Sequence, residues 1–266
     1  MPILKILSWN IACMPNYVNT FGNVEYRLEG IKKFIELNNP DIISLQEVFS
    51  YNCKKELKKF LESHNYHVIM SPNTKILLNG GLLIASKYNI ISYQYTIYKN
   101  YIGEDAFCQK GILYAQIKYN NKYINIFNSH LNNDTPIVYS DVNNIPLVKK
   151  NQLNEFLLYF YKILEDNKYI ICEKKDIIYI IAGDFNLDFQ SEVYKNFISK
   201  LKNKLKVCTN QNEIITDIIE KKQVDYIINC YNKNLRKIPM ENTYTYKYSI
   251  LKKLSDHSPL IKKCIV

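Results

Sequence analysis

Asn10, Glu47, His130, Asp184 with Asn186, and Asp256 with His257 each stand beside a strand-like apolar run. Asp225 stands inside one, Val224-Asp225-Tyr226-Ile227-Ile228. Carboxylates, carboxamides and imidazoles are the groups that hold a hard divalent cation, orient a water and move its proton. Gathered in one cleft, they suit metal-assisted attack of water on a phosphate ester. Singly, each has an ordinary explanation: a strand-end Glu is solvated, a lone His is structural, and Asp184 with Asn186 forms an Asx turn. The conjunction carries more. If these runs end on one edge, they assemble an acidic, metal-capable cleft containing two of the four histidines. Asp225 amid apolar residues needs a partner, because an isolated buried carboxylate is costly. His257 is the natural candidate, whereas His64 and His67 lie near a helix end and are expected at the surface.

The stretch from Asp176 to Asp188 shows how such residues are delivered. Ile177 to Ile181 are all apolar or aromatic and mostly β-branched, as expected of a strand buried on both faces. Asp184 and Asn186, at i and i+2, point the same way if the backbone stays extended. Gly183 lacks a side chain where backbone or ligand approaches closely.

The other elements alternate along the chain. Strands are expected at Ile3–Asn10, Asp41–Phe49, Tyr66–Met70, Gly81–Ser86, Ile90–Tyr98, Gly111–Tyr119, Lys122–His130, Gln223–Tyr231, Glu241–Tyr248 and Leu260–Ile265. A hairpin turns at Asn120-Asn121. Helical spacing of apolar residues marks Glu25–Asn38, Cys53–Ser63, Pro146–Asn167 and Ser191–Lys202. No repeat, linker or low-complexity tail interrupts the series, so one layered α/β domain over residues 1–266 is expected.

Composition narrows the classes. With 47% hydrophobic and 23% charged residues the 266-residue chain can bury a core. No apolar run approaches the roughly 20 residues of a spanning helix, and the start of the chain lacks a signal-type pattern, so an intracellular protein is expected. Seven scattered cysteines without a Cys-x-x-Cys pair argue against a disulfide framework or a structural zinc site. The net charge of +10 would draw nucleic acid or an anionic membrane. Nearly all of it is lysine, however; Arg27 and Arg236 are the only arginines, and arginine is the usual bidentate phosphate reader.

Trp9-Asn10, Gln46-Glu47-Val48, Ser129-His130-Leu131, Gly183-Asp184-Phe185-Asn186, Val224-Asp225-Tyr226 and Ser255-Asp256-His257 appear in the order seen in the endonuclease/exonuclease/phosphatase superfamily, which the chain resembles over nearly its whole length. Within it the chain is most similar to neutral, bacterial-type sphingomyelinases, through Glu25-Tyr26-Arg27, Glu47-Val48-Phe49, Gly80-Gly81 to Ser86-Lys87, Lys110-Gly111, His130-Leu131 and Asn151-Gln152-Leu153. The resemblance implies a four-layer α/β/β/α sandwich of two mixed sheets and a divalent-metal site at one rim. Glu47 would be the main ligand of Mg²⁺ (or another cation such as Mn²⁺), with Asn10 nearby. Asp184 and Asn186 would position the attacking water. His257, oriented by Asp225 or Asp256, would act as general base or phosphate-stabilising cation, and His130 would stabilise the transition state or protonate the leaving oxygen. Asp105, Lys110, Tyr244 and Tyr246 are candidates for substrate or interface contacts. Tyr244, Tyr246 and Tyr248 alternate onto one face, which suits either peripheral membrane contact or plain packing.

The resemblance leaves the phosphodiester substrate open. A phospholipid head group ranks first, a nucleic acid second, and an inositol phosphatase or a silent binding module behind both. No obligate protein partner is expected.

Overall fold

The structure is a computed structural model that describes residues 3–15, 23–73, 78–134, 142–167, 177–209, 215–217, 221–233, 241–245 and 254–265. Among these residues twelve strands run in chain order: β1 (Ile3–Cys13), β2 (Ile42–Val48), β3 (His67–Met70), β4 (Leu83–Ser86), β5 (Ile90–Ile97), β6 (Gly111–Tyr119), β7 (Lys122–His130), β8 (Ile177–Asp184), β9 (Leu205–Cys208), β10 (Asp225–Asn232), β11 (Glu241–Thr245) and β12 (Leu260–Ile265). They form two six-stranded sheets, ordered β11-β12-β1-β2-β4-β3 and β5-β6-β7-β8-β10-β9. Both are mixed: β1 and β2 run parallel in the first, β7 and β8 in the second, and the other pairs are antiparallel. The α-helices among these residues are α1 (Val24–Asn38), α2 (Tyr51–Ser63), α3 (Ile145–Asp166) and α4 (Glu192–Lys204).

Side-chain parity builds the layers. In β8, Ile178, Ile180 and Ala182 meet Leu4, Ile6, Ile42 and Ile84 of the first sheet, while Ile177, Tyr179 and Ile181 meet Phe156, Phe160 and Phe197 of α3 and α4. A strand covered on both faces carries no alternation, which is why it reads as an unbroken apolar run. On the far side Leu7, Trp9 and Ile11 of β1 join Leu28, Ile31 and Leu57 of α1 and α2. The order is therefore helices, sheet, sheet, helices, the sandwich expected. Asn23 caps α1 by accepting from the amides of Glu25 and Tyr26, and Ser191 caps α4 through the amide of Tyr194.

The same parity aims the polar residues. Leu4, Ile6, Ser8 and Asn10 share the inter-sheet face of β1, as Ile124, Ile126, Asn128 and His130 share that of β7. Ile178, Ile180, Ala182 and Asp184 do so on β8. At the rim the apolar series gives way to polar groups. His130 pairs with Asp184, and Asp184 with Asp225, so the three form one row across the second sheet. Gly183 makes this row possible. At φ 144° its backbone lies so close to β7 that a Cβ would sit 1.9 Å from the Ser129 carbonyl oxygen.

Several details differ from the sequence expectation. β9 and the short 3₁₀ turn Gly103–Phe107 had no readable pattern, and α2 begins at Tyr51, ahead of Cys53. Among the described residues no disulfide forms, and Cys13, Cys53, Cys230 and Cys264 are buried. No helix among these residues is long and apolar enough to cross a membrane.

Candidate active site

The row His130–Asp184–Asp225 meets Asn10 and Glu47 from the first sheet and Asp256-His257 from the segment before β12. Asn10 joins the sheets: its Nδ2 donates to Glu47 Oε1 and to Asp184 Oδ2, each at 2.9 Å. Glu47 is not aimed by parity, which would turn it toward the helices with Ile43 and Leu45. It adopts φ 56°, rare for a residue with a Cβ, and this left-handed break swings its carboxylate into the cleft. The strain sits at a proposed working residue, where surrounding contacts hold it.

The His257 segment is clamped from several sides. Trp9 Nε1 donates to the His257 carbonyl at 2.8 Å, Ser255 Oγ donates to the Asn10 carbonyl at 2.7 Å, and the Ser258 amide donates to Thr216 O at 2.7 Å. Buried Arg27 of α1 donates to the carbonyls of Ile11, Ala12 and Leu254, tying the end of β1 to the same segment. His257 Nδ1 lies 2.7 Å from Asp225 Oδ2, and Nε2 faces Asp184 Oδ2 at 3.7 Å. Asp225 is thus the orienting acid. Asp256 accepts from Ser255 Oγ at 3.2 Å, and its charge acts on both Glu47 and His257.

The two histidines are driven apart. Burial opposes a charge on His257, but Asp225 and Asp184 outweigh it and hold the imidazole well above its ordinary 6.5. His130 is held well below, by burial and then by the cations Lys110, His257 and Lys149. Lys110 Nζ stands 3.2 Å from His130 Nε2 and can only donate, so that nitrogen is an acceptor and His130 is neutral. Lys110 also pairs with Asp105 at 2.9 Å; burial works against its charge, and Asp105 outweighs this and raises its proton affinity. Asp105 further accepts the Asn133 amide at 2.9 Å. Both residues are therefore part of the cleft, with Lys110 behind His130.

Burial, then the Asp256 carboxylate, pushes Glu47 up to about 7. Burial likewise pushes Asp184 up to about 6, against the pull of His257. Glu47 and Asp256 are thus carboxylates whose mutual repulsion a cation would relieve, an oxygen donor set beside which Asn10 presents its Nδ2, its Oδ1 accepting the Ala12 amide at 3.1 Å. Such a set fits a hard divalent ion. Asp184, Asp225 and His257 also offer ligand atoms within 4.8 Å of one another, but His257 Nδ1 is already committed to Asp225, which makes that trio a better proton relay than a cage.

One expectation is corrected. Asp184 and Asn186 do not share a face of extended backbone. Asn186 adopts φ 48°, and its amide donates to Asp184 Oδ1 at 2.8 Å, so the ordinary Asx turn and the functional placement are one feature. Tyr244 is partly buried against the α1/α2 core, with Lys263 Nζ 5.5 Å from its ring centroid. Tyr246 and Tyr248 lie outside the described residues.

A family model described as the Endonuclease/Exonuclease/phosphatase family matches residues 7–257. The chain belongs to that family. It is 28% identical over 218 residues to sphingomyelinase C 2 of Leptospira interrogans, covering 74% of this chain and 33% of that protein. The chain thus spans about a third of that curated relative's length. Among solved structures, beta toxin of Staphylococcus aureus with bound magnesium ions superposes with a TM-score of 0.75 at 17% identity, covering 98% of this chain and 99% of that one. TDP2 of D. rerio complexed with a single-strand DNA product does so with a TM-score of 0.69 at 17% identity, covering 99% of each. At such identities these two likenesses establish the fold.

Proposed function

We propose that the chain is a divalent-metal-dependent phosphodiesterase whose substrate is the head-group phosphodiester of a sphingomyelin-type phospholipid. The observation that carries the chemistry is the Asp225–His257 pair, its Nε2 facing Asp184 beside the Glu47/Asp256 oxygen cluster. The choice of lipid rests on the sphingomyelinase relatives.

Glu47 is proposed as the main ligand of Mg²⁺, with Asp256 and Asn10 beside it. When bound, a divalent cation supplies charge neutralisation at a phosphoryl oxygen and lowers the proton affinity of the nearby histidines. Asp184 and Asn186 orient the water. His257, the more basic imidazole, takes its proton at Nε2 while Asp225 stabilises the imidazolium through Nδ1. His130 and Lys110 are proposed to stabilise the charge developing on the leaving oxygen, Lys110 supplying the proton-bearing group through its contact with His130 Nε2.

A nucleic-acid substrate is the second reading, favoured by the likeness to a DNA-bound TDP2 and the charge of +10. The purified protein is assayed with Mg²⁺ on sphingomyelin vesicles and on plasmid DNA. Choline-phosphate release without nicking is expected. Nicking without choline-phosphate release would reverse the assignment, and turnover of neither would end it.

A further inference from the structure

The first turns of three helices carry a cation on the buried face: Arg27 on α1, Lys54 on α2 and Lys149 on α3. Lys149 reaches furthest into the site. Its side chain is 0% exposed, and its Nζ donates to the Asn186 carbonyl and to Asp134 Oδ1. An ammonium buried this deeply needs strong acceptors, and these two supply them. Wholly enclosed, it cannot touch a substrate.

Asn186 is held at three points. Its amide donates to Asp184 Oδ1, its Nδ2 donates to Leu131 O at 3.3 Å, and its carbonyl accepts from Lys149. Leu131 is itself fixed, because its amide donates to Asp184 O at 3.0 Å. Asn186 Oδ1 accepts no hydrogen bond among the described residues, which leaves it available to a water. The left-handed φ of 48° is one Asn tolerates, so these bonds set where the turn places its carboxamide and not whether it forms. The amide and Nδ2 bonds tie the turn to β8 and to the end of β7, Phe185 packs the turn on Phe156 and Phe197, and Lys149 is the hydrogen bond that fixes the Asn186 carbonyl against α3.

We propose that Lys149 is a positioning residue for the Asp184–Asn186 turn, holding the Asn186 carboxamide where it orients the attacking water. This rests on the phosphodiesterase reading for its catalytic consequence. Lys149→Met removes the anchor at modest cost to folding, because Asp134 is 43% exposed and can be solvated alone.

Lys149→Met is expected to lower kcat by about 10- to 100-fold, in the range for lost supporting contacts and small misplacements. KM should stay within about threefold and Mg²⁺ affinity should not change. Lys149→Arg, which can donate to the same two acceptors, should restore most of the rate. If Lys149 acts through Asn186, Lys149→Met combined with Asn186→Ala should cost no more than Asn186→Ala alone. Multiplicative losses in the double variant, or a near-wild-type kcat in Lys149→Met, would overturn the proposal. Amide hydrogen exchange reads the same anchor without catalysis. The Asn186 amide should exchange faster in Lys149→Met while β7 and β8 are unchanged. Unchanged exchange at Asn186 refutes the positioning role even if neither phosphodiester is turned over, whereas an inactive wild type with faster Asn186 exchange refutes only the enzymatic reading.

Discussion

Replacing Asp225 by Asn keeps the shape of a fully buried side chain and removes one charge, 2.7 Å from His257 Nδ1. If the introduced carboxamide presents its NH₂, His257 must accept at Nδ1 and carry its proton on Nε2, where it can no longer take one from water. If the amide flips, the hydrogen bond survives but the charge does not. An opposite charge at this range shifts a pKa by about 1 to 3 units, or about 1.4 to 4 kcal/mol of proton affinity. Either orientation should lower kcat by about 10²- to 10⁴-fold, the range for losing a positioned base. The acid limb of the kcat/KM profile should move down by about 1 to 3 pH units. Stability follows the same sign. The folded pKa of His257 is raised above its ordinary 6.5, so its contribution is fully present below that value and is lost as pH rises through the raised one. The gap in unfolding free energy between wild type and variant should therefore be widest near pH 5 to 6 and narrow at higher pH (about one unit either way). A folded Asp225→Asn protein with kcat within about threefold of wild type and an unmoved acid limb would refute the pairing as a catalytic device.

Two further outcomes test the frame around that pair. Mg²⁺ at about 100 times its dissociation constant should add about 2.7 kcal/mol to unfolding, a rise in Tm of about 5–10 °C, and Glu47→Gln should abolish most of it. An equal rise in Glu47→Gln, read by differential scanning calorimetry, would remove Glu47 from the metal site. Gly183→Ala forces a Cβ to 1.9 Å from Ser129 O and should cost about 4–5 kcal/mol in a urea titration, because backbone must yield to backbone.

The regular layers were readable because their signals are local. Double-sided burial of β8, the helical stripes of α1 and α3 and the hairpin at Asn120 follow from neighbours in sequence, and Asn120 takes the positive φ such a turn favours. The buried cations were readable in principle. Lys149 precedes Gln152, Leu153, Phe156 and Phe160 at i+3, i+4, i+7 and i+11, so the stripe itself puts it on the core side. A polar residue on that face, in a helix that begins at the site rim, was the signal not used. No comparable signal existed for β9, four residues after a lysine-rich helix, or for the left-handed breaks at Glu47 and Asn186.

By itself, then, the sequence determined the residue types at strand ends, their order and the chemistry they suit. Only the tertiary structure decided that Asp225 and not Asp256 hydrogen-bonds His257, that the Asp256 charge is felt by Glu47, and that His130 is the less basic imidazole and His257 the more basic one. The physical reason is distance along the chain. Periodicity is set by residues a few positions apart, whereas the row His130–Asp184–Asp225 is set by strand register across segments dozens of residues apart. Proton affinity depends on burial and on which charges that register brings within a few ångströms, and neither is written in any local run of residues.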